Sequence, residues 1–100
     1  MKYLILDANY QTTGLKDRYE GYLSEEQSGL SHELWQEIQE WVKSYNVIIM
    51  IEEREREINL EKINRLDQGG LAICDKIRGE LGENVKIEYY SEGLLKKIYR

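Results

Sequence analysis

The chain has 100 residues, of which 41% are hydrophobic and 33% charged, and its 19 acidic and 14 basic side chains leave a net charge of -5. That composition describes one globular domain with a core of its own rather than a disordered chain. One cysteine and one histidine exclude a disulfide framework and a Cys/His zinc site, and the acid excess argues against general nucleic-acid binding, which needs clustered bases.

Residues 3–6 read Tyr-Leu-Ile-Leu between Lys2 and Asp7, an unbroken apolar run that suits a strand buried on both faces. The run is too short for a signal-peptide core, and the longest apolar run, 47–51, is far too short to span a membrane, so the expected location is cytoplasmic. Lone Cys74 fits a reducing compartment and the role of a small core residue. Residues 8–29 are rich in Gly, Ser, Thr, Asp and Glu, which predicts a long surface connection with a short strand or turn near 19–23.

Leu34, Trp35, Ile38, Trp41, Val42 and Tyr45 then recur on one face of a 3.6-residue period. Ser31 is placed to cap this helix, Leu30 and Trp35 to staple it, and Asn46 to end it. His32 falls in the exposed first turn. The β-branched run 47–51 predicts a second buried strand, followed by the charged segment 52–57, whose pattern suits either an extended or a helical backbone. Asn59 is placed to cap a second long helix carrying Leu60, Ile63, Leu66, Ile73, Cys74, Ile77 and Leu81. Its Gly69-Gly70 pair marks either a break or a close approach to the sheet. Val85, Ile87 and Tyr89 alternate with Lys86, Glu88 and Tyr90, a strand with one apolar face near a sheet edge. Ser91 is placed to cap a short terminal helix with Leu94, Leu95 and Ile98 inward, its dipole complemented by Lys96, Lys97 and Arg100. The predicted order is β-α-β-α-β-α over one α/β domain, residues 1–100, with a small, mainly parallel sheet and packed helices.

No phosphate-binding glycine loop and no nucleophile elbow occurs, so no catalytic, cofactor-binding or metal-binding residue is nominated and no cofactor is expected. One enzyme-like feature is a strand that delivers Asp7 at its carboxyl end. It resembles the start of PIN-type nucleases, whose first strand ends in a metal-binding Asp. That resemblance implies an acidic set around Mg²⁺, with Glu52 and Asp75 as companions. The plainer alternative makes Asp7 a cap or turn residue. A second feature is the acid in residues 20–57, where ten acidic residues face only Lys43, Arg54 and Arg56, a balance of -7. Such a stretch serves solubility, or docks a basic partner with Tyr10, Tyr19 and Tyr22 as anchors.

Leu4-Ile5-Leu6-Asp7, Tyr19-Glu20-Gly21-Tyr22, Gly29-Leu30-Ser31 leading to Trp41, Leu66-Asp67-Gln68-Gly69-Gly70 and Ile87-Glu88-Tyr89-Tyr90-Ser91 together carry a resemblance. The layout resembles small bacterial immunity proteins of polymorphic toxin and contact-dependent growth inhibition systems. The resemblance implies a non-enzymatic inhibitor that binds the C-terminal domain of a cognate toxin, often a nuclease, with no direct nucleic-acid or membrane partner. On that expectation the toxin-binding set is Asp17, Tyr19, Glu20, Tyr22, Glu25, Glu26, Glu33 and Glu37. A generic protein-interaction module and the Asp7 nuclease are the alternatives.

Overall fold

The computed structural model describes residues 1–50 and 59–99. Strands β1 (Lys2–Leu6), β2 (Leu15–Asp17) and β3 (Gly21–Tyr22) come first. Helices α1 (Glu25–Ser28), α2 (His32–Ile49) and α3 (Leu60–Leu81) follow, and a 3-10 turn (Gly82–Asn84) leads into β4 (Val85–Ser91) and β5 (Lys96–Ile98). The strands form one sheet in the order β3-β2-β1-β4-β5. Only β1 and β4 run parallel; the other three pairings are antiparallel.

The predicted β-α-β-α-β-α order and mainly parallel sheet are therefore corrected. The reason lies in residues 8–29: the short strand expected near 19–23 is there as β3, but the rest is no plain surface connection, since it also holds β2 and α1. A return of a few residues cannot make the crossover that a parallel pair requires, so β2 comes back antiparallel on β1. Gly14 makes the return with φ +84, and a Cβ there would collide with the Val42 side chain. Asp7 N–H donates to the Gly14 carbonyl at 2.9 Å and closes the loop.

The run 47–51 is no strand. Residues 47–49 complete α2, Met50 is its C-cap, and Ile51 lies outside the described residues. Ile48 is buried while Val47 is 69% exposed. The stripe Ile38, Trp41, Val42, Tyr45 simply continues to Ile48, so helical period overrides β-branched propensity and Asn46 stops nothing. The charged segment 52–57 also lies outside the described residues.

The terminal helix is likewise replaced by the β4–β5 hairpin, whose turn includes Leu95 at φ 56. Ser91 does cap, but it caps a turn: its Oγ accepts from Leu94 N–H at 3.1 Å. Lys96 and Lys97 stand on an edge strand instead of complementing a helix dipole.

Both long helices pack on one side of the sheet. Leu4 and Leu6 of β1 and Ile87 and Tyr89 of β4 join Leu34, Ile38, Trp41, Tyr45, Ile63, Ile73 and Ile77 in a single core. Tyr3 and Ile5 turn to the other side and are only half-buried, so β1 is not buried on both faces as expected. Ser31 caps α2 as predicted, accepting from Leu34 N–H at 3.2 Å. Among the described residues no helix is long and apolar enough to cross a membrane.

Candidate functional site

A ladder of contacts sets the two long helices antiparallel. Ser31 bonds Glu80, Glu37 pairs with Lys76 at 2.6 Å, Trp41 donates to the Leu66 carbonyl at 2.8 Å, and Tyr45 reaches Asp67. The start of α2 thus lies beside the end of α3. The β2–β3 turn reaches the same end, because Asp17 stands opposite Leu4 and Arg18 N–H donates to the Tyr3 carbonyl. Met1, Lys2, Leu81, Asn84 and Val85 meet there around a shallow groove.

Asp17 and Glu20 of the β2–β3 turn and Glu33 in the first turn of α2 therefore stand towards one acidic end of the molecule, and Glu25, beside Glu26 on α1, reaches that first turn through His32 at 3.0 Å. Glu37 sits about one turn further along α2, in its ion pair with Lys76. Glu80 and Glu83 join the acidic end, and sequence reasoning missed both. Their signal was the antiparallel pairing of two long helices, which brings residue 31 to residue 80. Ser31 N–H and Oγ donate to the two Glu80 carboxylate oxygens at 2.7 and 2.6 Å. These bonds hold the Glu80 carboxyl below the usual carboxylate range. Asp17 is half-spent locally, since its Oδ1 accepts from Tyr19 N–H at 2.8 Å and Glu20 N–H at 3.1 Å. His32 is exposed as expected but has a carboxylate beside it, Glu25 at 3.0 Å.

The two tyrosines of the predicted set differ. Tyr19 is 77% exposed and rests edge-on against Tyr3, with ring centroids 6.2 Å apart. Tyr22 is half-buried and donates its hydroxyl to Asp7 Oδ1 at 2.6 Å, with Lys16 Nζ 5.7 Å from its ring. Tyr22 therefore pins β3 to the end of β1, and Tyr19 is the exposed aromatic at the acidic end. Tyr10, also weighed as an anchor, lies in the β1–β2 loop, away from the β2–β3 turn.

Asp7 behaves as the turn residue of the plainer reading. It is buried, takes the Tyr22 hydroxyl and accepts from Asn9 N–H at 3.3 Å. Asp75 sits on α3 in an ion pair with Arg78 at 2.9 Å, and Glu52 lies outside the described residues. Among the described residues no three His, Cys, Asp or Glu side chains gather as a metal site.

The other polar cluster went unread in the sequence. Asp67 is buried in the core, where its Oδ1 accepts from Tyr89 at 2.6 Å and Tyr45 at 2.8 Å and its Oδ2 from Ser91 at 2.8 Å. The Tyr45 hydroxyl accepts in turn from Gly93 N–H at 2.9 Å. One carboxylate so ties α2, α3, β4 and the hairpin turn. It is enclosed by its partners and presents nothing to a ligand.

Three tyrosine hydroxyls share an alkaline signature. Desolvation, reinforced by a neighbouring carboxylate, raises Tyr22 to about 12 and moves Tyr45 and Tyr89 further in the same direction. A group raised on folding contributes stability that is complete below its unfolded value, about 10, and is lost as pH climbs through the folded value. Denaturant titrations at stepped pH are expected to show this component of stability level up to about pH 10 and falling towards 12. A stability profile that stays flat through that window contradicts the assignment.

Residues 2–92 match a family model described as Serratia CdiI immunity protein-like. A comparison with curated proteins returned no match.

Proposed function

The chain belongs to the Serratia CdiI immunity protein-like family, a contact-dependent growth inhibition immunity family, and on that premise we propose that it binds the C-terminal toxin domain of a cognate effector and neutralises it without chemistry of its own. The family match carries the reading. The docking surface is the acidic end, with Asp17, Glu20, Glu25, Glu26, Glu33 and the neighbouring Glu37 as its charges and Tyr19 as its exposed aromatic; Tyr22, the other tyrosine of the expected set, is turned to Asp7 at the far end of β1 and holds β3 in place. Glu80 and Glu83 enlarge the same field. An anionic surface of this kind suits a toxin whose substrate-binding cleft is basic, as a nuclease's is, and it acts in the cytoplasm, where such a toxin's substrate lies. Complementary charge raises the association rate and selects the partner.

The test takes the effector domain encoded by the adjacent gene. Wild-type protein is expected to rescue growth of cells expressing that domain, and failure to rescue removes the immunity reading. Glu20, Glu26, Glu33 and Glu83 hold no ion pair or hydrogen bond through their carboxylates among the described residues, so reversing them to Lys breaks no such contact and costs about 0.3–1 kcal/mol for a cation in the first turn of α2 at Glu33. The fourfold reversal is expected to slow association by at least about tenfold and to flatten its salt dependence. Unchanged kinetics would move docking to another face while leaving the function intact.

A further inference from the structure

Both long helices lie on one side of the sheet, and the strand registers decide what stands on the other. Tyr22, Lys16, Ile5 and Glu88 are neighbours in one row across β3, β2, β1 and β4, and Tyr3 and Lys86 are neighbours in the next. Arg18 extends that second row past Tyr3, since its N–H donates to the Tyr3 carbonyl. None of these residues is buried, whereas Leu4, Leu6, Leu15, Ile87 and Tyr89, which alternate with them along the strands, all are.

This open face has a sign of its own. Lys16, Arg18 and Lys86 make no ion pair among the described residues. Glu88, the carboxylate in the rows, is already neutralised by Lys97 at 3.1 Å. The rows therefore carry surplus positive charge in a chain of net charge -5. The second row sets Tyr3 between two cations, one step in from Lys2 and Val85, which line the groove at the acidic end. Tyr19 joins the two surfaces. It belongs to the β2–β3 turn, and its ring rests edge-on against Tyr3 at 6.2 Å. Tyrosine and arginine are the side chains that most often carry interface energy.

We infer that the toxin's footprint runs from the acidic end across Tyr19 onto this open sheet face, where Tyr3 and Tyr19 anchor it and Lys16, Arg18 and Lys86 meet an anionic patch of the toxin domain. The inference rests on the immunity reading and adds to it a second patch of opposite sign. Charge complementarity selects what faces each patch: the basic part of the partner is drawn to the acidic end and repelled beside it, so carboxylates face the Arg18–Tyr3–Lys86 row. Two adjoining patches of opposite sign also fix orientation, because docking turned by half a revolution sets like charge on like.

That opposition of sign makes the test. Lys86 is exposed and has no ion pair to lose, so Lys86→Glu changes the charge of the row and leaves the fold alone. A toxin drawn by overall acidity alone binds this variant more tightly; a toxin seated on the row binds it at least about tenfold more weakly. Tyr3→Ala is expected to weaken binding as much, with thermal unfolding confirming that the variant stays folded. Calorimetry with the purified, catalytically inactivated toxin domain reads both. Unchanged or tighter binding by Lys86→Glu overturns the inference, as does unchanged binding by folded Tyr3→Ala; in either case wild-type binding keeps the immunity function. Two other occupants have their own readouts. If wild-type protein binds a labelled single-stranded oligonucleotide, or sediments as a dimer, and Lys86→Glu abolishes that while toxin affinity ignores it, the face serves nucleic acid or a second copy and the inference falls. If wild-type protein does not bind the toxin domain at all, the functional reading fails, and this one with it.

Discussion

Replacing Asp67 with alanine is expected to cost about 3–5 kcal/mol, the range for breaking a buried charged network by removing one partner. The hydroxyls of Tyr45, Tyr89 and Ser91 all donate to this carboxylate, and each is left in the core without its acceptor. For a domain of this size that loss lowers the melting temperature by more than about 12 °C. Asp67→Asn is the informative companion. Its amide oxygen still accepts from both tyrosines, and its amide nitrogen can donate to Ser91 Oγ, so its loss is expected to be less than half as large. Because Gly93 N–H hangs on the Tyr45 hydroxyl, amide exchange at Gly93 is expected to accelerate in Asp67→Ala before the sheet opens. An alanine variant within about 1 kcal/mol of wild type would show that the network contributes little.

Gly70→Ala is expected to be the second large effect. An added Cβ would collide with the Tyr89 ring, lying 2.7 Å from its Cζ, and 2.8 Å from Cζ2 of Trp41. Neither ring is free to yield. Tyr89 is tied to Asp67 at 2.6 Å and the Trp41 indole N–H to the Leu66 carbonyl at 2.8 Å. Overpacking of a core typically costs about 1–3 kcal/mol, and two anchored neighbours put this site at the upper end of that range. The adjacent Gly69→Ala is expected to act with the opposite sign. Its Cβ would meet the Trp41 ring at an ordinary 3.7 Å, and helix propensity then favours alanine by about 1 kcal/mol. Urea unfolding of the two variants decides the point, since equal shifts in the same direction would contradict the close-approach explanation.

The same glycine shows what could be read from the chain. Gly69-Gly70 in a helical pattern allowed two outcomes, and which one holds depends on Tyr89, a residue on another element. The α2 stripe, its Ser31 cap, the α3 stripe and the alternating β4 were all legible, because period and capping are local. The errors came where local and global signals conflict. Val47 and Ile48 have strand propensity but sit at the end of a helix whose stripe they extend. The turn-rich composition of 8–29 hid β2, which exists because β1 offers it an edge, whereas the short strand expected near 19–23 is β3, paired on β2. Ser91 was rightly seen as a cap but attached to the wrong element. For the site, the acid of the predicted set was visible, whereas Glu80 enters only when α3 is folded back along α2. Asp67 gave no local signal, since a helix with one carboxylate in its apolar stripe reads as an irregularity until the three hydroxyls arrive from elsewhere.

The one parallel pairing carries a consequence for synthesis. β1 sits at the centre of the sheet and finds its parallel neighbour only in β4, with Lys2 opposite Val85 and Leu6 opposite Tyr89. The first strand made must wait for nearly the last, while three helices are built in between. Contacts of such long range close late and slowly. On the ribosome the growing chain holds β1 with one edge unpaired until β4 has emerged, which is the interval in which an open strand edge invites wrong partners. Loss of β4 to an early stop would leave the central strand without its parallel mate and Ile87 and Tyr89 missing from the core. Folding is therefore close to all-or-none in chain length, because a chain that stops short of β4 lacks both the mate of its central strand and part of its core.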